Sequence, residues 1–352
     1  MKRLPLITHS LFAELADQCR SEPRNPELWP LSGSIVTVPV GDQAHWYFQK
    51  SRRTTSGKYQ QREYIGPVGD QGLAAKVAAF EAAKAGYNGR MEIISTLKSS
   101  GVAAPTGKVA NLLLGLHEAG VLERALVVGT IAFQAYGAML GVKFGQSAFH
   151  TLDVDMTEVH TISLAMEKNL NVPLLEVLTN LDETFGEVPG MDPRTPPVSY
   201  INQDKIRLDV LMPFSGPDRG PIHSKGLGSH GQPQRLLDYL VVDPVETILL
   251  VGGGAPTHIP NPARFALHKL IVSQRRNPIE AAKKRKDLLQ AQQLIELLLE
   301  DDPDALRSAY KDLKGRGPKW NAYFKDGAGA LGNVAIKQHL AEIYEEDWDY
   351  SG

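Results

Sequence analysis

Apolar residues recur at every second position in an early segment and at every third or fourth position through most of the remaining chain. Residues 35–40 alternate apolar with small side chains. Residues 45–50 and 59–65 flank Thr54-Thr55-Ser56-Gly57, which predicts a β-hairpin closed by Gly66-Pro67. A short helix is expected around 10–19, followed by a loop carrying Pro23, Pro26 and Pro30. After the hairpin, the alanine-rich stretch 73–85 reads as a helix and 90–99 as a second one stopped by Gly101. A third helix covers 108–119, with Gly120 just past its end.

The texture then becomes alternating. An apolar strand at 124–128 runs into Gly129-Thr130 and a helix at 131–140. Strands follow at 152–156 and 206–213, with helices at 161–169 and 174–181 between them, so 120–215 forms a compact α/β unit. The Gly/Pro/His-rich stretch 213–233 reads as a loop, and 246–251 with 255–259 as a hairpin around Gly252-Gly253-Gly254. Helices are expected at 262–276, 279–300 and 305–314. In the longest, Leu288, Ala291, Ile295 and Leu298 mark a buried stripe. The expected fold is an α/β (α+β) core with a mixed sheet. Its divisions are a β-hairpin and helical module at 1–120, the core at 121–260 and a helical domain at 261–352.

Composition narrows the class. The 352 residues carry 38 Lys+Arg against 40 Asp+Glu, a formal net charge of −2, which argues against a uniformly basic nucleic-acid coat. No apolar run reaches membrane-spanning length, and no apolar segment backs the basic start, so a cytoplasmic protein with no membrane partner is expected. The single cysteine, Cys19, excludes an intramolecular disulfide and a cysteine-rich zinc site. Against that neutral background, 261–290 holds eight Lys/Arg and two acids. Such a cluster suits a triphosphate or a nucleic-acid backbone, or simply a solvated basic face.

Asp153-Val154-Asp155 is the sharpest chemical feature. Strand periodicity puts both carboxylates on one face, about 6.5–7 Å apart at their Cα atoms. Such a pair can converge on divalent ions, and Mg²⁺ takes a few carboxylates together with substrate phosphate oxygens. Asp209 sits in a second alternating strand, between Leu208 and Val210. Three strand-borne carboxylates suit two-metal phosphoryl transfer. Gly129-Thr130, at a strand-to-helix turn, offers backbone N–H groups and a hydroxyl to a phosphate.

Leu126-Val127-Val128-Gly129-Thr130, Thr151-Leu152-Asp153-Val154-Asp155 and Asp209 together resemble the DNA polymerase β-like nucleotidyltransferase superfamily. The phrases Val128–Phe133, Leu140-Gly141-Val142 and Pro262–Leu270 resemble a bacterial group of nucleotidyltransferase-fold proteins. The longer-than-usual gap before Asp153 implies an insertion around 142–150. His268-Lys269-Leu270, Arg275-Arg276 and Lys286-Asp287-Leu288 are similar to the helical half of AbiEii-type toxin nucleotidyltransferases. That likeness implies Lys269, Lys286 and Asp287 as nucleotide-site residues beside Gly129 and Thr130. It also implies Asp153, Asp155 and Asp209 as catalytic metal carriers and Mg²⁺ or Mn²⁺ as cofactor. An NTP would be the substrate, tRNA, another RNA or a protein the acceptor, and an antitoxin a possible partner. The alternative is a nucleotidyltransferase fold that has lost catalysis and only binds nucleic acid.

Other signals carry less. Gly226–Gly231 matches G-x-G-x-x-G but follows a loop, so a dinucleotide site is not expected. His223, His230 and His258 lack zinc spacing, and His268 reads as packing. The hairpin interleaves Trp46, Tyr47, Phe48, Tyr59 and Tyr64 with Lys50, Arg52, Arg53, Lys58 and Arg62. The favoured reading packs these aromatics on the following helices and leaves the basics in water. The other makes the hairpin a nucleic-acid acceptor surface.

Overall fold

The computed structural model describes residues 1–55, 57–145, 151–158, 173–190, 192, 194–217 and 219–346. The chain starts with β1 (Lys2–Arg3) and α1 (Leu6–Ser21), then β2 (Ser34–Val40), β3 (Gln43–Thr54) and β4 (Gly57–Pro67). Two helices follow, α2 (Gln71–Ser99) and α3 (Gly107–Glu118). The central elements are β5 (Ala125–Val128), α4 (Gly129–Met139), β6 (Val142–Lys143), β7 (Asp153–Glu158) and α5 (Leu174–Leu181). Next come β8 (Gly186–Glu187), β9 (Ser199–Ile201), β10 (Arg207–Phe214), β11 (Ile222–Ser224), β12 (Ser229–Arg235) and the one-turn α6 (Leu237–Leu240). After β13 (Val245–Leu249) and β14 (Ala255–Ile259) the chain is helical: α7 (Pro262–Arg275), α8 (Ala281–Asp301), α9 (Pro303–Gly315), α10 (Pro318–Gly329) and α11 (Val334–Glu346).

A nine-stranded mixed sheet organises the molecule, in the order β11-β12-β10-β7-β5-β14-β13 with β8 and β9 beside β10. β7 and β10 are parallel, whereas β5 runs antiparallel to β7. β5 is four consecutive buried apolar residues, as a strand covered on both faces requires. β10 instead alternates: Leu208, Val210, Met212 and Phe214 are buried, and Arg207, Asp209 and Leu211 are partly open. α4 is buried from Thr130 to Ala138, so it is apolar nearly all round and passes through the main core. That core continues into α7, α8 and α9, where Ala291, Ile295 and Leu298 form the expected stripe. A smaller cluster joins α1, α2 and the β13–β14 hairpin through Leu15, Cys19, Leu97 and Ile248. Among the described residues, no helix is long and apolar enough to cross a membrane.

Two element expectations change. The helices expected at 73–85 and 90–99 are one helix, α2, unbroken through Gly86 and Gly89. Tertiary contact outweighs the roughly 1 kcal/mol that each glycine costs a helix. Buried Arg90 donates to the Gly253 carbonyl (2.9 Å) and pairs with Glu22, and Tyr87 lies against Gly252 and Gly253. The loop expected at 213–233 contains β11 and most of β12, and β12 pairs in parallel with β10. The Gly226–Gly231 segment makes the tight connection between them. It is held by Glu158, which accepts from Ser224 Oγ and from the Gly226 N–H (3.2 Å). The helix expected at 161–169 and much of the insertion expected around 142–150 lie outside the described residues.

Candidate active site

The register of β7 and β10 sets Asp155 directly across from Asp209, and Asp153 across from Arg207. Alternation sends these side chains to the face opposite Val154, Leu208 and Val210. On the other side of β7, Val128 pairs with Asp155, so β5 delivers Gly129 beside that carboxylate. Gly129 has φ +68°, in the left-handed region, and a Cβ there would collide with Asp155. The glycine therefore permits both the turn into α4 and a close approach to the acid. α4 starts at Gly129, so its first N–H groups have no helical carbonyl to meet.

All eight residues singled out from the sequence line one cleft of about 420 Å³: Gly129, Thr130, Asp153, Asp155, Asp209, Lys269, Lys286 and Asp287. Asp153, Asp155 and Asp209 come from the sheet, and Lys269, Lys286 and Asp287 from α7 and α8. Asp287, 1% exposed, accepts from Lys269 Nζ (2.6 Å) and Arg276 Nε (3.0 Å), and Arg276 also reaches Glu280 (3.2 Å). Lys269 additionally lies over the Phe265 ring, 5.3 Å from its centroid. Asp287 thus fixes two cations from α7 at the helical side of the cleft.

Electrostatics differ across the cleft. Burial, joined by the Asp209 charge, pushes the Asp155 carboxyl up to about 6, although Lys269 pulls against the shift. Asp287 is driven the other way: burial opposes its charge, but Lys269 and Arg276 hold it below the usual carboxylate range. Lys286 is lowered by burial and then by Lys269. His268, beside Lys269, is pushed down to about 3 by burial first, which keeps it neutral. It lines the cleft, where the sequence suggested only packing.

Asp209 is held by neighbours. Its Oδ1 accepts from Arg207 Nε (2.7 Å) and from Ser199 Oγ, and Arg207 Nη2 donates to the same hydroxyl (2.9 Å). Among the described residues, no three acidic or histidine side chains already converge as a closed metal cage. The donor set still fits a hard divalent ion: carboxylate oxygens only, with Asp155, partly open to the cleft, facing two further acids. Thr151, Gln234 and Arg235 also line the cleft and were missed from the sequence. The last two lie on β12, whose Gly231 and Pro233 disguise it as loop. Arg235 packs over Phe214, and Leu236, at φ +66°, turns the chain sharply after it.

Carboxylates on a mixed sheet, a glycine-opened helix start and a cationic helical side are an arrangement suited to group transfer at phosphorus. The chain belongs to a nucleotidyltransferase family, whose model matches residues 107–314, from the start of α3 to the end of α9. No curated protein and no solved structure matches the chain.

Proposed function

We propose that the cleft transfers a nucleoside monophosphate from an NTP to an acceptor hydroxyl. The supporting observation is the convergence of 129–130, 153–155, 209 and 269–287 on one cleft, acids on the sheet side and cations on the helical side. The acceptor oxygen bonds to the α-phosphorus, the bond from that phosphorus to the bridging oxygen breaks, and pyrophosphate leaves. The hydroxyl proton passes to a carboxylate or to solvent. Gly129, Thr130 and the first N–H groups of α4 receive phosphate oxygens, and Lys269, Lys286 and Arg276 neutralise the departing charge. Asp287 acts by holding Lys269 and Arg276 in place. Asp153, Asp155 and Asp209 would hold Mg²⁺ or Mn²⁺, which when bound would acidify the attacking hydroxyl and screen the triphosphate.

A reaction that consumes NTP would run in the cytoplasm. The likeness to polymerase β-like and AbiEii-type enzymes favours an RNA 3′ hydroxyl over a protein, in a growth-arrest or defence setting with a neutralising partner. The test is incubation with Mg²⁺, each α-³²P-NTP and total RNA plus cell protein. A labelled band that disappears with Asp153→Ala supports the reading and names the acceptor. A folded protein that labels nothing with any nucleotide would overturn it in favour of a binding protein.

A further inference from the structure

The three-stranded sheet β2-β3-β4 lies outside both the cleft and the family-matched residues. Alternation sorts its aromatics onto two faces. Phe48 turns inward and is buried against Trp29 and Phe80, with centroids 6.4 and 6.3 Å away. The favoured expectation, that the hairpin aromatics pack on the following helices, holds for Phe48 and not for Tyr64, which is exposed. Tyr47 and Tyr64 are cross-strand partners on the opposite face, edge to face at 5.4 Å, and Tyr64 is 55% exposed. His45 joins them, 5.7 Å from the Tyr64 ring, with Nδ1 and the Tyr64 hydroxyl 3.2 Å apart. One pair along, Arg62 donates to Gln49 (2.8 Å), and Lys58 follows on the same face of β4. β4 is exposed from Gly57 to Tyr64.

Charge and position suggest what covers this face. Residues 43–67 hold five Lys/Arg and one Glu. Lys50 pairs with Glu118 and Arg53 with Asp204, so Arg62 and Lys58 are the cations beside the tyrosines, and Glu63 pairs with Phe48 on the inward face. The hairpin tip is tied to the β9–β10 turn by Arg53 Nη1, which meets Asp204 (2.7 Å), and to the α5–β8 connection by Glu183, which accepts from the Thr55 N–H (2.6 Å). Asp204 lies three residues before Arg207, which opens the catalytic strand β10. Aromatic rings open to solvent with cations alongside stack bases and track phosphates, and stacking of this kind requires unpaired bases.

We propose that the outer face of β2-β3-β4 binds a single-stranded nucleic acid and guides its end toward the cleft as acceptor. This use rests on reading the cleft as a nucleotidyltransferase site. The test is fluorescence anisotropy of the full chain with 5′-fluorescein-labelled 15-nucleotide oligo(U) and its DNA counterpart, without NTP or Mg²⁺. Binding should weaken between 50 and 200 mM KCl, and Tyr47→Ala/Tyr64→Ala should weaken it about ten-fold or more. Arg62→Ala/Lys58→Ala should flatten the salt dependence, and Tyr64→Phe should preserve affinity, since it keeps the ring. The RNA and DNA arms identify the polymer.

No binding at 50 mM KCl, equal binding by both double variants, or tighter binding of duplex would overturn the proposal. Label transfer in parallel separates the two readings. Wild-type binding through this face with no nucleotide incorporation would sink the transferase reading and leave the surface standing. Equal labelling of the oligonucleotide by wild type and the tyrosine double variant would do the reverse. Label entering only protein would overturn the surface as an acceptor guide.

Discussion

The two sides of the cleft carry aspartates in opposite electrostatic situations. Asp155, on the sheet side, faces Asp209 and Asp153, and burial with this crowding pushes its carboxyl up to about 6. Asp287, on the helical side, is held below the usual range by Lys269 and Arg276 after burial has opposed it. One carboxylate is short of counter-charge and the other is compensated within the fold. The sheet side is therefore where bound cations would supply the missing counter-charge, whereas the helical side already holds its two cations in place. Buried like charges persist in folded proteins mainly where function uses them.

The largest expected effect breaks the sheet side. Asp153→Ala or Asp155→Ala should lower nucleotide transfer by about 10³-fold or more, measured with labelled NTP. The stability effects should then have opposite signs on the two sides. Asp287→Ala strands Lys269 and Arg276 and should destabilise by about 3–5 kcal/mol in chemical denaturation. Asp155→Asn should instead stabilise the metal-free protein at pH 7, by on the order of 2 kcal/mol. The folded value of Asp155, about 6, lies above the roughly 3.9 of an exposed aspartate. Its cost is therefore complete above about pH 6 and disappears as the pH falls toward 4. The gain from Asp155→Asn should shrink over that window. Destabilisation by Asp155→Asn at pH 7 would contradict the proposed asymmetry.

Sheet-side chemistry was legible because its residues are neighbours in the chain. Asp153-Val154-Asp155 places two carboxylates on one strand face from alternation alone, and the alternation of 207–211 marks Asp209 as the polar side of a second strand. The register of β7 and β10 brings the three together. The helical side was visible as a cluster of basic residues, yet its internal neutralisation by Asp287 depends on α7 packing against α8. The hold on Asp209 by Ser199 likewise depends on β9 folding back onto β10, whereas Arg207 lies two residues before it on the same strand. β12 was missed because Ser229–Arg235 carries a glycine and a proline and no apolar alternation. Gly231 is there because β12 approaches Met212 and Val210 too closely for a side chain. The unbroken α2 was missed for a similar reason: the contacts of Tyr87 and Arg90 with 252–253 lie far away in sequence. In the hairpin, the aromatics were evident from the start, but the division between inward Phe48 and outward Tyr47 and Tyr64 required the strand register.

Gly129→Ala probes the junction of the two sides. It forces a Cβ into the left-handed region and against Asp155, so it should cost about 1–2 kcal/mol and also reduce transfer. A variant that loses stability but keeps full activity would show that Asp155 tolerates displacement.

The smallest expected effect lies at the rim of the helical side. Lys283 is 59% exposed, and its ammonium is 3.9 Å from Glu280. A solvated pair of that kind contributes little, so Lys283→Ala should shift stability by less than about 0.5 kcal/mol. Its long-range charge still adds to the field at the cleft mouth. The variant should therefore raise the KM for NTP a few-fold at low salt, with kcat unchanged, and the difference should vanish at high ionic strength. Lys269, fixed by a buried aspartate, should show no such rescue by salt when replaced by Met. If the two variants responded alike to salt, the helical side would be a diffuse basic surface, and the position set by Asp287 would not matter.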